Sequence, residues 1–161
     1  MNRSVRSGVA ALLRDLDERS PAGFAIGLHI SFTSPRYMFQ TYPKRWADEY
    51  ASSGLLLQDP TIRWGMGNVG WVLWSDLEAI DTHGVLDRAR DHGLMNGVTI
   101  ALFDEWRSIA SFARSDRDYE AAEIADLEAI FADLHRSTAG IDALGEDDRM
   151  ALKDLSVRLS H

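Results

Sequence analysis

The residues best suited to bind a small molecule lie within one short stretch of the chain. This stretch contains three aromatic residues at intervals of four, an Asp-Pro pair and a further tryptophan, namely Tyr42, Trp46, Tyr50, Asp59, Pro60 and Trp74. On a helix and the turn that leads into it, Tyr42, Trp46 and Tyr50 would share one face. Aromatic walls with polar tips beside one carboxylate suit a pocket that holds a mostly apolar ligand through a few oriented hydrogen bonds.

Each of these residues, taken singly, also has a purely structural explanation. Asp59 followed by Pro60 is a common way to begin a helix, because aspartate caps the free N–H groups and proline fits the first turn. Trp46 and Tyr50 are equally acceptable as core aromatic residues. The combination favours a binding pocket, and the single residues leave both interpretations open.

Other motifs in the sequence are weaker indications of a functional site. Gly65, Gly67 and Gly70 spell G-x-G-x-x-G, but they are predicted to follow a helix and precede a strand, the reverse of what a dinucleotide site needs. We therefore interpret them as a flexible turn. The five histidines are scattered, so no metal site is indicated, and His29 is the one candidate base on a strand. The sequence has no cysteine, so no thiol nucleophile is indicated. Nothing in the sequence predicts an enzyme.

Length and composition restrict the possible functions further. The chain has 161 residues and no apolar run long enough for a membrane span, which favours one cytoplasmic domain. Its formal net charge is −8, and no dense stripe of Lys and Arg offsets it. Direct nucleic-acid binding is therefore not expected, because an acidic surface repels phosphate.

Periodicity predicts the elements that would position the pocket. Phe24 to Phe32 alternate strictly between large apolar and mostly small residues, which indicates a strand, and Ser34-Pro35 indicates a turn into a second strand. Further patterns predict helices at both ends, two short helices after Pro43 and Asp59, a strand at 69–74, two short helices within 75–95, and a hairpin at 98–112. The fold class predicted is α+β, an α-β-α sandwich whose central antiparallel sheet has about five strands, with helices on both faces.

The stretch from Tyr42 to Trp74 resembles the signature of the autoinducer-binding domain of LuxR-type quorum-sensing regulators. Gly97-Val98-Thr99-Ile100 is similar to that family's later glycine motif. The resemblance implies a sensor that binds an N-acyl-homoserine lactone and uses no cofactor or metal. It also implies that Trp46 donates to the lactone carbonyl, that Asp59 accepts the amide N–H and that Tyr42 donates to the acyl carbonyl.

Further roles follow from the same resemblance. Tyr50 and Trp74 would wall the pocket, Ser111 would place a hydroxyl near the amide or acyl carbonyl, and Gly97 would be structural. The ligand would order the domain and favour a homodimer or a heterodimer with a LuxR-type regulator. The apolar stripe of the helix at 118–136 either forms the dimer face or covers the sheet. Alternatives are a solo sensor for another amphipathic molecule and a truncated regulator that captures full-length partners.

The sequence departs from the family pattern at several positions. Leu55 replaces an aromatic residue, Ala101 replaces a proline, and 104–107 lacks a glycine-containing turn. We expect residues 1–140 to form the sensing domain and residues 141–161 to form a linker and terminal helix, at 146–159. Residues 144–160 weakly resemble the first helix of the family's helix-turn-helix domain, so the expectation is either a sensor domain alone or a regulator without its own DNA reader.

Overall fold

The computed structural model describes residues 2–32 and 34–139. The helices of this part are α1 (Asn2–Glu18), α2 (Lys44–Ser52), α3 (Pro60–Gly67), α4 (Val85–Arg90) and α5 (Ala121–Ala139), with short 3-10 helices at Leu55–Gln58 and Trp74–Ile80. The strands are β1 (Gly23–Ser31), β2 (Ser34–Gln40), β3 (Gly70–Leu73), β4 (Asn96–Phe103) and β5 (Arg107–Arg114). The predicted linker and terminal helix at 141–161 lie outside the described residues.

The five strands form one antiparallel sheet in the order β2-β1-β5-β4-β3. Helices α1 and α5 cover one face, and α2, α3 and α4 lie over the other. This arrangement confirms the predicted α+β sandwich. Because every neighbouring pair is antiparallel, short hairpins suffice to join β1 to β2 and β4 to β5.

The face covered by α1 and α5 is filled by the chain's own side chains. The large members of the β1 alternation, Phe24, Ile26 and Leu28, have no exposed surface there. They pack with the apolar stripe of α5, formed by Ile124, Leu127, Phe131 and Leu134. The stripe of α5 therefore covers the sheet, as one of the two expectations had it.

The strict alternation predicted from Phe24 to Phe32 breaks after Leu28. Gly27 pairs with Ile109 and Ile30 pairs with Arg107, so two residues of β1 lie opposite the single residue between those partners. His29 sits in this bulge with a φ of 54°, and its side chain turns towards α5. Ile30 consequently faces the other side of the sheet, and Phe32 lies on the surface with 91% of its area exposed. The extra residue reverses the alternation, as bulges do.

Two local predictions also need correction. β2 already begins at Ser34, so the turn predicted at Ser34-Pro35 is wrong. Gly65 and Gly67 lie within α3 rather than in a flexible turn, although the order of helix before strand is as predicted. A Cβ on Gly65 would lie 2.8 Å from the Ile109 side chain, so glycine is needed where α3 approaches β5. Packing, not flexibility, explains this glycine.

Candidate functional site

A cavity of about 510 Å³ lies between the sheet and the layer formed by α2, α3 and α4. It exists because the β1 residues that face it are small: Ala25 and Gly27 alternate with the large residues of the opposite face. The 3-10 helix at Leu55–Gln58 adds Leu56 and Leu57 to its walls. Its volume falls within the range of small-molecule sites, and most of its lining is apolar.

Two residues that line this cavity carry hydrogen-bond donors that have no partner among the described residues. Trp46, on the first turn of α2, is almost fully buried, and its indole N–H has no protein acceptor. Tyr42, just before α2, lines the same cavity, and its hydroxyl is likewise unpaired. Burial, followed by the negative charge of nearby Asp59, raises the pKa of Tyr42, so this hydroxyl keeps its proton. A ligand with acceptor oxygens in the cavity would give both donors a partner.

Asp59 caps α3 and presents a carboxylate to the cavity. Its Oδ1 accepts hydrogen bonds from the backbone N–H of Thr61, at 2.8 Å, and from the Thr61 hydroxyl, at 2.7 Å. Its Oδ2 accepts one from the Tyr50 hydroxyl at 2.8 Å. Oδ2 thus accepts one side-chain hydrogen bond, and a carboxylate offers about four acceptor positions in all. Burial raises the pKa of Asp59, and the hydrogen bonds from Thr61 and Tyr50 oppose that rise.

Trp74 contributes a wall and the first link of a hydrogen-bond chain. Its indole N–H donates to the Thr99 hydroxyl at 3.1 Å, and Thr99 in turn lies 2.7 Å from the hydroxyl of Ser111, which lines the cavity. Gly97 makes room for the indole, because a Cβ at this position would lie 2.2 Å from a ring carbon of Trp74. This close approach of the Trp74 ring to the backbone is consistent with the structural role that the family resemblance implies for Gly97.

Two aromatic rings pack against the indole of Trp46. The ring of His92 is tilted by 39° against the indole, with centroids 5.4 Å apart, and Tyr50 meets the indole edge-on at 5.7 Å. Glu49 binds the His92 ring and the Arg88 guanidinium, at 2.9 and 2.8 Å. These contacts join α2 to α4 and to the turn that follows it. The position of the Trp46 donor is therefore fixed from two directions.

Strand register gives the cavity a polar end and an apolar end. Ser111 on β5 pairs with Ala25 on β1, and this row of paired residues leads towards Tyr42. In the next row on the same face, Ile109 pairs with Gly27, and Gly27 pairs with Met38 on β2. The row in which Ile30 pairs with Arg107 lies beyond that. At a rise of some 3.3 Å per residue along the strand, this row is about 13 Å from Ser111. At this end Met38 and Met66 line the cavity and are 38% and 39% exposed. The cavity lining is therefore partly exposed to solvent at its apolar end.

A second polar cluster lies on the α5 side of the sheet. The Ser108 hydroxyl is 2.7 Å from Nδ1 of His135, whose Nε2 is 2.9 Å from Asp104, in the order of a serine-histidine-aspartate triad. Ser108, however, has no exposed surface, and its hydroxyl accepts the backbone N–H of His29. No substrate can reach it in this arrangement. The cluster joins β1, β5 and α5, with His29 adding a 2.8 Å bond to Thr138.

The structure brings all six predicted binding residues to the cavity: Tyr42, Trp46, Tyr50, Asp59, Trp74 and Ser111 line it. Sequence reasoning missed Thr61 and Thr99. Thr61 could have been found, since the second residue after a capping aspartate supplies the N–H that the cap accepts. The contact of Thr99 depends on the pairing of β4 with β5, and no local pattern indicates it.

Neither a metal site nor a membrane-spanning helix is found in the described part of the chain. Among residues 2–32 and 34–139, no group of three His, Asp or Glu side chains could hold a metal ion. No helix in the same part is both long and apolar enough to cross a membrane.

Comparison with known proteins gives a consistent family. The family model described as "Autoinducer binding domain" matches residues 23–137. The transcriptional activator protein SolR of Ralstonia nicotianae is 32% identical over 97 residues, which are 57% of this chain and 40% of SolR. The regulatory protein SdiA of Escherichia coli is 32% identical over 88 residues, 53% of this chain and 37% of SdiA. The chain thus spans about two fifths of these curated relatives.

Solved structures show the same fold at lower identity. SdiA in complex with octanoyl-rac-glycerol superposes with a TM-score of 0.63 at 20% identity, covering 88% of this chain and 61% of that one. CepR2 of Burkholderia cenocepacia, described as an N-acylhomoserine lactone-dependent LuxR family transcription factor, gives 0.61 at 16% identity, covering 87% of this chain and 94% of that one. At these identities the likeness establishes the fold alone.

Proposed function

Because this chain belongs to the autoinducer-binding domain family of LuxR-type regulators, we propose that it binds an N-acyl-homoserine lactone as a quorum-sensing sensor. The observation that carries the proposal is the set of hydrogen-bonding groups at the polar end of the cavity. Two donors without a protein partner and one carboxylate line an otherwise apolar space. An acyl-homoserine lactone offers two carbonyl acceptors and one amide donor, which is the complementary set.

The proposed roles follow from this complementarity and from the family. The indole N–H of Trp46 donates to the lactone carbonyl, and the hydroxyl of Tyr42 donates to the acyl carbonyl. Asp59 Oδ2 accepts the amide N–H in a charge-assisted bond, which is stronger than a neutral one. Tyr50 and Trp74 act as walls, and their own polar atoms are already used within the protein.

The acyl chain extends along β1 and β5 towards the apolar end. An extended alkyl chain advances by less than one C–C bond, about 1.5 Å, per carbon, so the interval of about 13 Å accommodates at least about nine carbons. Each buried methylene contributes about 0.8 kcal/mol, or roughly fourfold in affinity. Affinity is therefore expected to rise with chain length and to level off once the chain reaches the partly exposed residues Met38 and Met66.

Ligand binding stabilises the folded domain in this proposal. The cavity is the unfilled part of the interior, and a ligand that binds only the folded state adds RT ln(1 + [L]/Kd) to the free energy of unfolding. The ordered domain, acting in the cytoplasm, then favours a dimer with itself or with a LuxR-type regulator. Sedimentation that finds only monomer at saturating ligand would contradict the homodimer. The family is one of ligand-binding domains and not of enzymes.

Two substitutions test the site. Asp59→Asn keeps a capping side chain but loses the anionic acceptor, and Trp46→Phe removes the indole donor. Each should weaken lactone binding about tenfold or more in calorimetry, while changing the melting temperature of the ligand-free protein much less. Asp81→Asn is the matched control for the first, because Asp81 also caps a helix but does not line the cavity. Trp71→Phe, at a half-exposed tryptophan outside the cavity, is the control for the second.

The outcome of that experiment is decisive for the site. If both Asp59→Asn and Trp46→Phe bind lactone as tightly as the unsubstituted protein, the assigned residues are wrong. If only the controls lose affinity, the binding site lies elsewhere.

A second ligand class has its own support. The fold relative SdiA is described in complex with octanoyl-rac-glycerol, an amphipathic molecule with an ester carbonyl and an acyl tail. The same donors and the same apolar end in this chain suit such a monoacylglycerol. Mass spectrometry of organic extracts from the purified protein, with calorimetry on both ligand classes, distinguishes the two.

A further inference from the structure

Two methionines lie at the partly exposed apolar end of the cavity. Met38 belongs to β2 and Met66 to α3, so the sheet and the helix layer each contribute one thioether to the lining there. The two residues are 38% and 39% exposed. Each of them is therefore in contact with the cavity on one side and with water on another.

Methionine thioethers are the groups of this chain that a mild two-electron oxidant attacks first. The sequence has no cysteine, so no thiol competes for the oxidant. The sulfur lone pair attacks one oxygen of hydrogen peroxide, an S–O bond forms as the O–O bond breaks, and the other oxygen leaves as water with both protons. Sulfur is oxidised by two electrons and the peroxide is reduced by two. The product is methionine sulfoxide.

Sulfoxide formation changes what this end of the cavity offers to a ligand. A flexible apolar side chain becomes a polar one that carries an acceptor oxygen. The neighbouring rows of the lining supply only the apolar side chains of Ile30 and Ile109. An alkyl tail has no hydrogen-bond donor, so a tail that covers a sulfoxide removes water from its oxygen without replacing it, which is unfavourable. A tail that ends before the methionines avoids this cost.

We propose that Met38 and Met66 form an oxidation-sensitive site, at which a two-electron oxidant such as hydrogen peroxide lowers the affinity of the cavity for long acyl tails. This inference rests on the proposed function, and it adds a form of regulation to it. The polar end of the cavity contains no sulfur, so recognition of the ligand head is retained. Methionine sulfoxide reductases, one for each sulfoxide epimer, restore the site.

Met95 provides the matched control. It is 43% exposed, and so as accessible as the other two residues, but it does not line the cavity. Leucine resists oxidation and is close to methionine in volume, so substitutions of methionine by leucine change the packing little. The variants are the double substitution Met38→Leu with Met66→Leu, and the single substitution Met95→Leu. Met1 and Met150 lie outside the described residues and are common to all variants.

The experiment measures lactone affinity before and after oxidation. Each protein is treated with hydrogen peroxide in the absence of ligand, and peptide mass spectrometry measures the gain of one oxygen at each methionine. Calorimetry then gives the dissociation constants of N-dodecanoyl- and N-hexanoyl-homoserine lactone. The six-carbon tail is shorter than about 9 Å, so it ends before the row of Ile30, whereas the twelve-carbon tail reaches that row.

The loss of affinity should depend on both the variant and the tail. In the unsubstituted protein and in Met95→Leu, oxidation should weaken binding of the dodecanoyl lactone by about five- to tenfold and binding of the hexanoyl lactone by about twofold or less. In the double variant, oxidation should leave both affinities unchanged. Treatment of the oxidised unsubstituted protein with both reductases should restore binding of the dodecanoyl lactone.

Four results would overturn the proposal. The first is that Met38 and Met66 gain no oxygen under conditions that oxidise Met95. The second is that the oxidised unsubstituted protein binds the dodecanoyl lactone as tightly as before. The third is an equal loss in the double variant, because oxidation would then act elsewhere. The fourth is an equal loss for both lactones, because general damage to the domain would weaken both.

Failure of the lactone hypothesis would be visible separately. If the unsubstituted, unoxidised protein binds neither lactone, the proposed lactone function is wrong. The same proteins are then measured with 1-dodecanoyl- and 1-hexanoyl-rac-glycerol. A loss on oxidation that is confined to the longer tail, and that the double variant abolishes, supports the oxidation-sensitive site with another acyl ligand. An equal loss for both tails, or no binding of either, overturns it.

Discussion

Replacing Gly97 by alanine should displace the Trp74 wall of the cavity. The new Cβ would lie 2.2 Å from Cδ2 and 2.3 Å from Cε2 of the indole, well inside contact distance. Both are ring-fusion atoms of a buried side chain, so the indole must move as a unit and its 3.1 Å bond to Thr99 is lost. Overpacking costs about 1–3 kcal/mol and the lost hydrogen bond about 0.5–1.5 kcal/mol. The expected decrease in the free energy of unfolding is about 2–4 kcal/mol.

Thermal unfolding measures this cost directly. For a domain of this size a loss of about 2–4 kcal/mol lowers Tm by roughly 5–15 °C. Gly67→Ala is the matched control, since a Cβ there meets nothing within 4 Å and the residue ends helix α3. Alanine favours helix over glycine, so this control should leave Tm unchanged or raise it.

A double-mutant cycle connects the cost to Trp74. In a Trp74→Leu background the indole ring is absent, and Gly97→Ala should then cost at least about 1 kcal/mol less than it does in the unsubstituted protein. A Tm within about 2 °C of the unsubstituted protein for Gly97→Ala would refute the steric argument. So would an equal cost in both backgrounds, because the conflict would then not involve the indole.

Two further predictions concern buried polar groups. Burial, together with the charges of His135 and Arg36, lowers the pKa of His29 from 6.5 to about 4, so the unfolded chain binds this proton first as the pH falls. The free energy of unfolding should therefore decrease between pH 6.5 and 4 by up to roughly 3 kcal/mol. In urea titrations at several pH values, His29→Asn should reduce this dependence of the free energy on pH. The control His83→Asn, at an exposed histidine, should not reduce it. Tyr50→Phe removes a hydrogen bond to the Asp59 carboxylate and should lower the free energy of unfolding in urea by about 1.5–3 kcal/mol. The control Tyr119→Phe loses a hydrogen bond to a neutral backbone carbonyl and should lower it less. Equal decreases for the two variants would contradict a charged Asp59.

The cavity residues were predictable where the signal is local. Trp46 and Tyr50 converge because a helical spacing of four places side chains on one face, and Asp59 is fixed by its own helix start. These features depend on a few neighbouring residues, so they can be predicted from the sequence alone. The fold class was predictable for a similar reason, since alternating and helical periodicities persist over most of each element.

Features that depend on strand pairing were not predictable. Alternation in the sequence continues through Phe32, but the bulge at His29 is defined by how many residues of β1 lie opposite β5. The link from Thr99 to Ser111 likewise requires the register of β4 against β5. Register is a relation between distant segments, and a single strand's pattern does not specify it.

The unequal filling of the two faces of the sheet has a consequence for how the domain opens. The face under α1 and α5 is closed by interlocking apolar side chains, whereas the opposite face encloses about 510 Å³ of unfilled space. Local opening requires less free energy where fewer buried contacts must be broken. We therefore expect the layer of α2, α3 and α4 to open more easily than the layer of α1 and α5, and to exchange its amide protons first when no ligand is bound. A bound ligand would make the two layers unfold as one.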